Sequence, residues 1–291
     1  MLGNTPLVRL KKIEEEFGIY NEIYAKVENT NQSGSVKDRA VYQMLLDFKE
    51  EGKLKEGTTV IEATSGNTGI SLSYFQNEFK INAIIVMPKS MTKERREMIA
   101  KYGAKLVLVD GGMKESNLEA EKLHEKIKDS LILGQFDNPS NVKAHYLNTA
   151  RELDRDLKEI DYVFAGFGTG GTISGIGKYF KEKKYATKII GIEPYESPLV
   201  IKGEAHPHLI QGIGANFIPN NLKQEFIDEV ITCKGEEALA MARTIRKIEG
   251  IDCGYTSGAS LNQAIHYLKD NNIKGKRIVV VFPDKGDRYS W

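Results

Sequence analysis

The stretch Tyr162-Val163-Phe164-Ala165-Gly166-Phe167-Gly168-Thr169-Gly170-Gly171-Thr172 decides the fold. It begins as an unbroken apolar run, turns through glycines, and continues from Thr172 to Lys183 with apolar residues three and four apart among charged ones. A short run without polar alternation suits a strand buried on both faces of a parallel sheet. The spacing that follows suits an amphipathic helix. A strand passing directly through glycines into a helix is the repeating piece of an α/β fold.

The same pattern recurs along the chain. Thr58 to Ala63, Ala83 to Pro88, Lys105 to Asp110, Lys188 to Glu193 and Arg277 to Pro283 read as further buried strands. Asp38 to Leu54, Lys93 to Tyr102, Lys114 to Ser130 and Glu236 to Glu249 read as helices. Strands alternating with helices predict sheets covered on both faces. The charge runs Lys11 to Glu16, Lys49 to Lys55 and Lys181 to Lys184 read as solvated helix faces or ends. No internal repeat or Pro-rich linker marks a boundary, so two domains would require the chain to cross between them more than once.

Composition bounds the function. The 291 residues suit about two domains. Lys plus Arg number 41 and Asp plus Glu 40, a formal net charge of 41 − 40 = +1, which argues against a strongly basic nucleic-acid binder. The longest apolar runs, Ala83 to Met87 and Ile278 to Phe282, are far short of the roughly 20 residues that span a bilayer. The N-terminus has no signal-peptide pattern, which predicts a cytoplasmic protein with Cys233 and Cys253 as reduced, packing thiols. The five histidines do not cluster with the cysteines, so no metal site is expected.

Three small-residue loops carry the chemistry. Gln32-Ser33-Gly34-Ser35-Val36-Lys37-Asp38-Arg39 places a lysine at a helix start, and Glu62-Ala63-Thr64-Ser65-Gly66-Asn67-Thr68-Gly69 follows a strand. In the third, Gly166 to Thr172, backbone N–H groups, two threonine hydroxyls and a helix N-terminus together suit a phosphate. Its spacing also satisfies G-x-G-x-x-G, and Glu193 ends the next strand where a dinucleotide site keeps its ribose-binding acid. A nicotinamide-dependent dehydrogenase is therefore a competing reading. Lys37 weighs against it: a helix start and partial desolvation both favour the neutral amine, the form that makes a Schiff base. An amine for an aldehyde, a cup for a phosphate and groups for a ring are what pyridoxal phosphate needs.

The sequence resembles the cysteine synthase (O-acetylserine sulfhydrylase) and cystathionine β-synthase family, pyridoxal-phosphate enzymes of fold type II. The likeness runs nearly end to end, through Gly3-Asn4-Thr5-Pro6-Leu7, Ser33 to Arg39, Glu62 to Gly69, Gly168 to Thr172, Gln211-Gly212-Ile213-Gly214-Ala215 and Asp284 to Tyr289. It implies two three-layer α/β/α domains with mostly parallel sheets, as in tryptophan synthase β. A smaller mobile substrate-loop domain would span 36–140, and a larger cofactor-phosphate domain 1–35 and 141–291. It also implies that Lys37 is the Schiff-base lysine, that Asn67 bonds the cofactor's ring hydroxyl, and that Gly168, Thr169, Gly170, Gly171 and Thr172 hold its phosphate. Thr64, Ser65, Gly66 and Thr68, with Gln135, would bind the substrate carboxylate, and Gly214, Ala215 and Asn216 would face the substrate. Thr256 would stand where cysteine synthases carry the serine that meets the pyridine nitrogen, with Ser257 next door. A neutral hydroxyl there leaves the nitrogen largely unprotonated and biases the chemistry towards expelling a β-substituent.

The implied activity is β-replacement on an L-amino acid through an α-aminoacrylate, with O-acetyl-L-serine and sulfide giving L-cysteine and acetate. Asn216 departs from the glycine of many relatives, where it would orient water or a second amino acid, or be a neutral loop change. That leaves open an L-cysteine lyase or β-synthase that releases hydrogen sulfide. A non-catalytic binding protein would need a broken constellation, and every matched position carries a competent residue. The resemblance further implies a homodimer and small amino-acid substrates with sulfide, while the charge balance and short apolar runs predict no nucleic-acid or membrane partner. With the chain ending at Trp291, no nucleotide effector domain is expected.

Overall fold

The computed structural model describes residues 2–64, 66–91, 93–289 and 291. In chain order its elements are β1 (Leu7–Arg9), α1 (Lys11–Glu16), β2 (Glu22–Val27), α2 (Lys37–Glu50), β3 (Thr59–Ala63), α3 (Asn67–Phe75), β4 (Asn82–Pro88), α4 (Lys93–Lys101), β5 (Lys105–Val109), α5 (Met113–Lys126) and β6 (Ser130–Ile132). Next comes α6 (Ser140–Ala144), which leads through a π-helical stretch at His145–Thr149 into α7 (Ala150–Asp156). The chain ends with β7 (Tyr162–Gly166), α8 (Gly171–Glu182), β8 (Lys188–Pro194), α9 (Leu199–Lys202), β9 (Glu229–Cys233), α10 (Gly235–Ile248), α11 (Tyr255–Asp270) and β10 (Arg277–Phe282). Two compact units result. One joins the residues up to Val36 with those from Val142 onward, and the other is Lys37–Asn141.

In the first unit, a six-stranded sheet runs β1-β2-β10-β7-β8-β9. β1 is antiparallel to β2, and the other neighbours are parallel. Side chains alternate across a strand. Ile278, Val280 and Phe282 of β10 therefore enter one core with Phe164 and the apolar faces of α1, α10 and α11. Val279 and Val281 enter the opposite core, with Val163, Ala165 and residues of α7 and α8. Both faces of β7 and β10 are covered, which is why their sequences read as continuous apolar runs.

The second unit holds a four-stranded, all-parallel sheet in the order β5-β4-β3-β6. Ile61, Ala63, Ile84 and Val86 form its core with Ala120 of α5. Val60 and Ile85 alternate with them and are fully buried as well. Tyr42 of α2 meets Phe75 of α3 edge to face, ring centres 5.3 Å apart. Among the described residues no helix is long and apolar enough to cross a membrane.

Three differences from the sequence reading have physical causes. β2 escapes a hydrophobicity pattern because it buries a charge: Lys26 is fully enclosed, and its Nζ donates to Glu152 and to the Thr5 carbonyl, each at 2.7 Å. Glu152 also accepts the Asn4 N–H at 2.8 Å, so the Gly3-to-Leu7 motif is a structural clasp in the first unit. α3 and α11 were not expected because both are buried over most of their circumference and rich in small residues, which erases an amphipathic stripe. The run Lys11 to Glu16 is α1, but it is not solvated throughout. Glu14 is buried, pairs with Arg9 at 3.1 Å and accepts the Ile23 N–H at 2.8 Å.

Candidate active site

In the first unit, the chain leaves the carboxyl end of β7 into the glycine loop, the place where open α/β sheets bind ligands. A Cβ on Gly168 would lie 2.5 Å from the Gly212 carbonyl oxygen, and one on Gly170 would lie 2.5 Å from Leu222 Cα. Gly170 also holds φ 83, ψ −17, the left-handed conformation that caps the start of α8. The loop thus brings closely packed backbone to the positive end of a twelve-residue helix, a setting that suits an anion such as a phosphate monoester. Thr169 is buried, with its hydroxyl 3.5 Å from the Gly171 N–H that it accepts. Thr172 Oγ1 shares a 3.2 Å hydrogen bond with His145 Nε2, and His145 Nδ1 lies 2.9 Å from Thr149 Oγ1. His145 and Thr149 are fully buried in the π-helical stretch behind the loop. Sequence reading passed over this histidine, whose only signal was a hydroxyl residue four positions later.

Two further segments close on the same loop. The Gly214 N–H donates to the Phe167 carbonyl at 3.1 Å, joining the Gln211-to-Ala215 stretch to the glycine loop. Thr256, near the start of α11, donates its hydroxyl to the Gln211 carbonyl at 3.2 Å, and its methyl occupies the space that a Cβ on Gly166 would need. Ser257 is fully buried in the core beside Cys253, so Thr256 is the hydroxyl turned to the loops. Ala215 is half-buried and Asn216 exposed. Burial, reinforced by neighbouring carboxylates, pushes the thiols of Cys253 and Cys233 up to about 12, so both are packed, protonated groups near neutral pH.

Glu193 does not fill the role that a dinucleotide site would give it. Its carboxylate is fully buried and accepts the N–H groups of Val200 at 2.9 Å and Ile201 at 3.0 Å in the first turn of α9. Desolvation raises its pKa against the pull of those two donors. A group spent on closing a helix end is not offered to a ribose.

In the second unit, Lys37 is the first residue of α2 and is half-buried. Asp38, next to it and fully enclosed, accepts a hydrogen bond from Ser71 of α3. This bond ties together the two helices whose first residues are Lys37 and Asn67. Asn67 and Gly66 are half-buried, and Thr64 Oγ1 accepts the Gly66 N–H at 3.3 Å. Thr68 is buried and donates to Gln135 Oε1 at 2.5 Å. Thr64 and Gly66 thus form one bonded pair and Thr68 and Gln135 another, while Ser65 lies outside the described residues. Against Gln135 sits Glu62, a residue whose role no motif in the sequence marks. Burial raises its carboxyl to about 7 although the N–H groups of Gly134 and Gln135 and the Gln135 side chain donate to it.

Each unit separately presents groups that suit a phosphorylated aldehyde cofactor: a glycine loop at a helix start with a neutral hydroxyl in one, a half-buried helix-start amine in the other. Comparison with known proteins agrees. The family model described as pyridoxal-phosphate dependent enzyme matches residues 1–284. The chain is 46% identical to Cysteine synthase B of Campylobacter jejuni over 292 aligned positions, covering 99% of this chain and 95% of that protein. It is 41% identical to Cysteine synthase of Staphylococcus aureus, covering 99% of this chain and 93% of that protein. Among solved structures, a hydrogen sulfide-producing enzyme from Fusobacterium nucleatum superposes with a TM-score of 0.95 at 39% identity, covering 99% of this chain and 97% of that one. Cysteine synthase from Entamoeba histolytica also gives 0.95 at 39% identity, covering 99% and 87%. The dehydrogenase reading falls on both the family match and the use made of Glu193. The chain belongs to the pyridoxal-phosphate-dependent enzymes, on the α/β scaffold of fold type II.

Proposed function

We propose that the protein is a cysteine synthase, replacing the acetate of O-acetyl-L-serine by sulfide to give L-cysteine. What carries the reading is the near end-to-end identity of 46% with a protein named Cysteine synthase B. Pyridoxal phosphate, when bound, supplies an aldehyde that condenses with amino groups and a ring that accepts negative charge from the α carbon. Lys37 would hold the aldehyde through its Nζ. When the substrate's amino group takes its place, the freed amine would remove the α proton as general base. The N–H cradle of Gly168 to Thr172 would hold the phosphate, Asn67 the ring hydroxyl, and Thr256 would offer the ring nitrogen a neutral hydroxyl. Thr64, Ser65, Gly66, Thr68 and Gln135 would take the substrate carboxylate, with Gly214, Ala215 and Asn216 near its side chain. In this reading residues 36–140 act as the mobile substrate-loop domain, and the enzyme works as a cytoplasmic homodimer.

A second reading has its own support. The chain covers 97% of a hydrogen sulfide-producing enzyme at a TM-score of 0.95. It would take L-cysteine as first substrate and water or a thiol as second, running the same β-elimination with sulfide as leaving group. Purified holoenzyme is to be compared on two reactions: cysteine formation from O-acetyl-L-serine plus sulfide, and sulfide release from L-cysteine. Faster cysteine formation upholds the synthase, and faster sulfide release replaces it with the lyase. Lys37→Ala is expected to abolish both reactions, and borohydride reduction of wild type is expected to fix the cofactor on Lys37. Label recovered on another lysine would overturn the assignment of Lys37.

A further inference from the structure

We propose that Glu62 is a positioning residue: by taking one hydrogen of the Gln135 side-chain amide, it fixes that amide in the orientation that leaves the second Nε2 hydrogen for the substrate carboxylate. The inference rests on the reading that Thr68 and Gln135 bind that carboxylate.

Glu62 lies at the end of β3, enclosed on all sides. Among the described residues its hydrogen-bond partners are N–H groups: the Gly134 N–H donates to Oε2 at 2.9 Å, and the backbone and side-chain N–H groups of Gln135 also donate to the carboxyl. Asp137 adds a nearby like charge. Because the Gln135 side chain donates to Glu62, its amide turns its nitrogen towards that carboxyl. That places Oε1 on the other side, where Thr68 Oγ1 donates to it at 2.5 Å. The Gln135 main chain is held as well, its carbonyl accepting from Asn141 Nδ2 at 2.8 Å. A substrate carboxylate needs N–H donors: Glu62 takes one of the two Nε2 hydrogens and leaves the other for it, whereas a reversed amide would offer none. An acid buried this deeply is costly to keep. Its position directly behind the pair that meets substrate gives that cost a use.

The test titrates L-serine, which carries the same α-amino and α-carboxylate groups, into holoenzyme and follows the cofactor's absorption. Glu62→Met fills the space without an acceptor and is expected to raise the L-serine dissociation constant about tenfold, the worth of a hydrogen bond to a charged group. Glu62→Gln keeps an acceptor oxygen and is expected to restore binding to within about threefold of wild type. The cofactor's own dissociation constant is expected to stay unchanged in both. Glu62→Met combined with Gln135→Ala is expected to bind no worse than Gln135→Ala alone, because the effect runs through one side chain. If Glu62→Met does not fold, Glu62→Asp, which withdraws the oxygens by one methylene, is expected to weaken L-serine in the same direction. Wild-type L-serine affinity in Glu62→Met, with Gln135→Ala impaired, would overturn the inference and leave the carboxylate site intact. Loss of cofactor or of fold that Glu62→Gln does not repair would reduce Glu62 to a structural role. Wild-type affinity in Gln135→Ala would overturn the carboxylate reading itself.

Discussion

A buried acid records its environment in its titration, and Glu62 gives the sharpest case. In the unfolded chain its carboxyl releases its proton near the ordinary 4.5, whereas in the native state it holds the proton up to about 7. Between those values the native state binds more protons, so this residue's contribution to stability is present at low pH and is lost as pH rises through 7. The span corresponds to about 3 kcal/mol. Glu62→Gln removes the ionisation, so its stability relative to wild type is expected to rise by that order between pH 5 and 8 in urea unfolding. A constant difference across the range would show that Glu62 ionises normally. Gly170 gives a second residue-scale prediction. An alanine there meets both a positive φ and a Cβ 2.5 Å from Leu222 Cα. The conformation alone costs about 1 kcal/mol. The clash displaces the cradle, so Gly170→Ala is expected to lower the melting temperature and to release pyridoxal phosphate more readily on dialysis. Retention equal to wild type would show that the loop is not the phosphate site. The glycines were legible because few other uses explain four of them between a strand and a helix. Glu62 was not, because an acid at a strand end carries no mark of what donates to it.

At the scale of elements, legibility followed burial geometry. Strands such as β7 and β10, apolar on both faces, stand out in any hydrophobicity pattern. β2 does not, because Lys26 sits among its buried positions, and β6, with three residues, is too short to show a period. The helices α3 and α11 failed for the opposite reason: a helix enclosed on nearly all sides loses the polar face that identifies it. The Thr64-to-Gly69 motif was therefore read as a loop, though α3 begins at Asn67. Glu193 shows a sequence signal misdirected by its neighbours, since the end of β8 also lies before α9, whose N–H groups it accepts. Glu193→Ala is expected to cost about 1–2 kcal/mol, the loss of a cap and its two bonds, while leaving cofactor absorption unchanged. Thermal melts and spectra of the holoenzyme separate these effects. Loss of cofactor with unchanged stability would place Glu193 at the cofactor instead.

For the whole molecule, the decisive feature is that one unit interrupts the other. Lys37–Asn141 is continuous in sequence, whereas the first unit is assembled from both flanks. Its sheet therefore depends on pairings no local pattern reveals: β10 lies between β2 and β7, with Arg277 opposite Glu22. Strand identity was readable, but strand order was not, because it is settled by packing between distant segments. The early residues must be held by contacts of long sequence separation, and the buried Lys26–Glu152 pair at 2.7 Å is one of them. Removing one partner of such a pair leaves a charge without compensation and costs about 3–5 kcal/mol. Because the pair belongs to the first unit, the loss is expected to be local to it. In Glu152→Leu, amide hydrogen exchange is expected to accelerate in β2 and β10 on the order of a hundredfold or more, the conversion of that free energy into an opening constant. Amides of β3 and β4 are expected to keep wild-type protection. Equal acceleration in all four strands would mean that the two units open as a single cooperative body. Replacing both partners, Lys26→Met with Glu152→Leu, is expected to recover most of the protection, since an apolar pair of similar volume has no charge to strand.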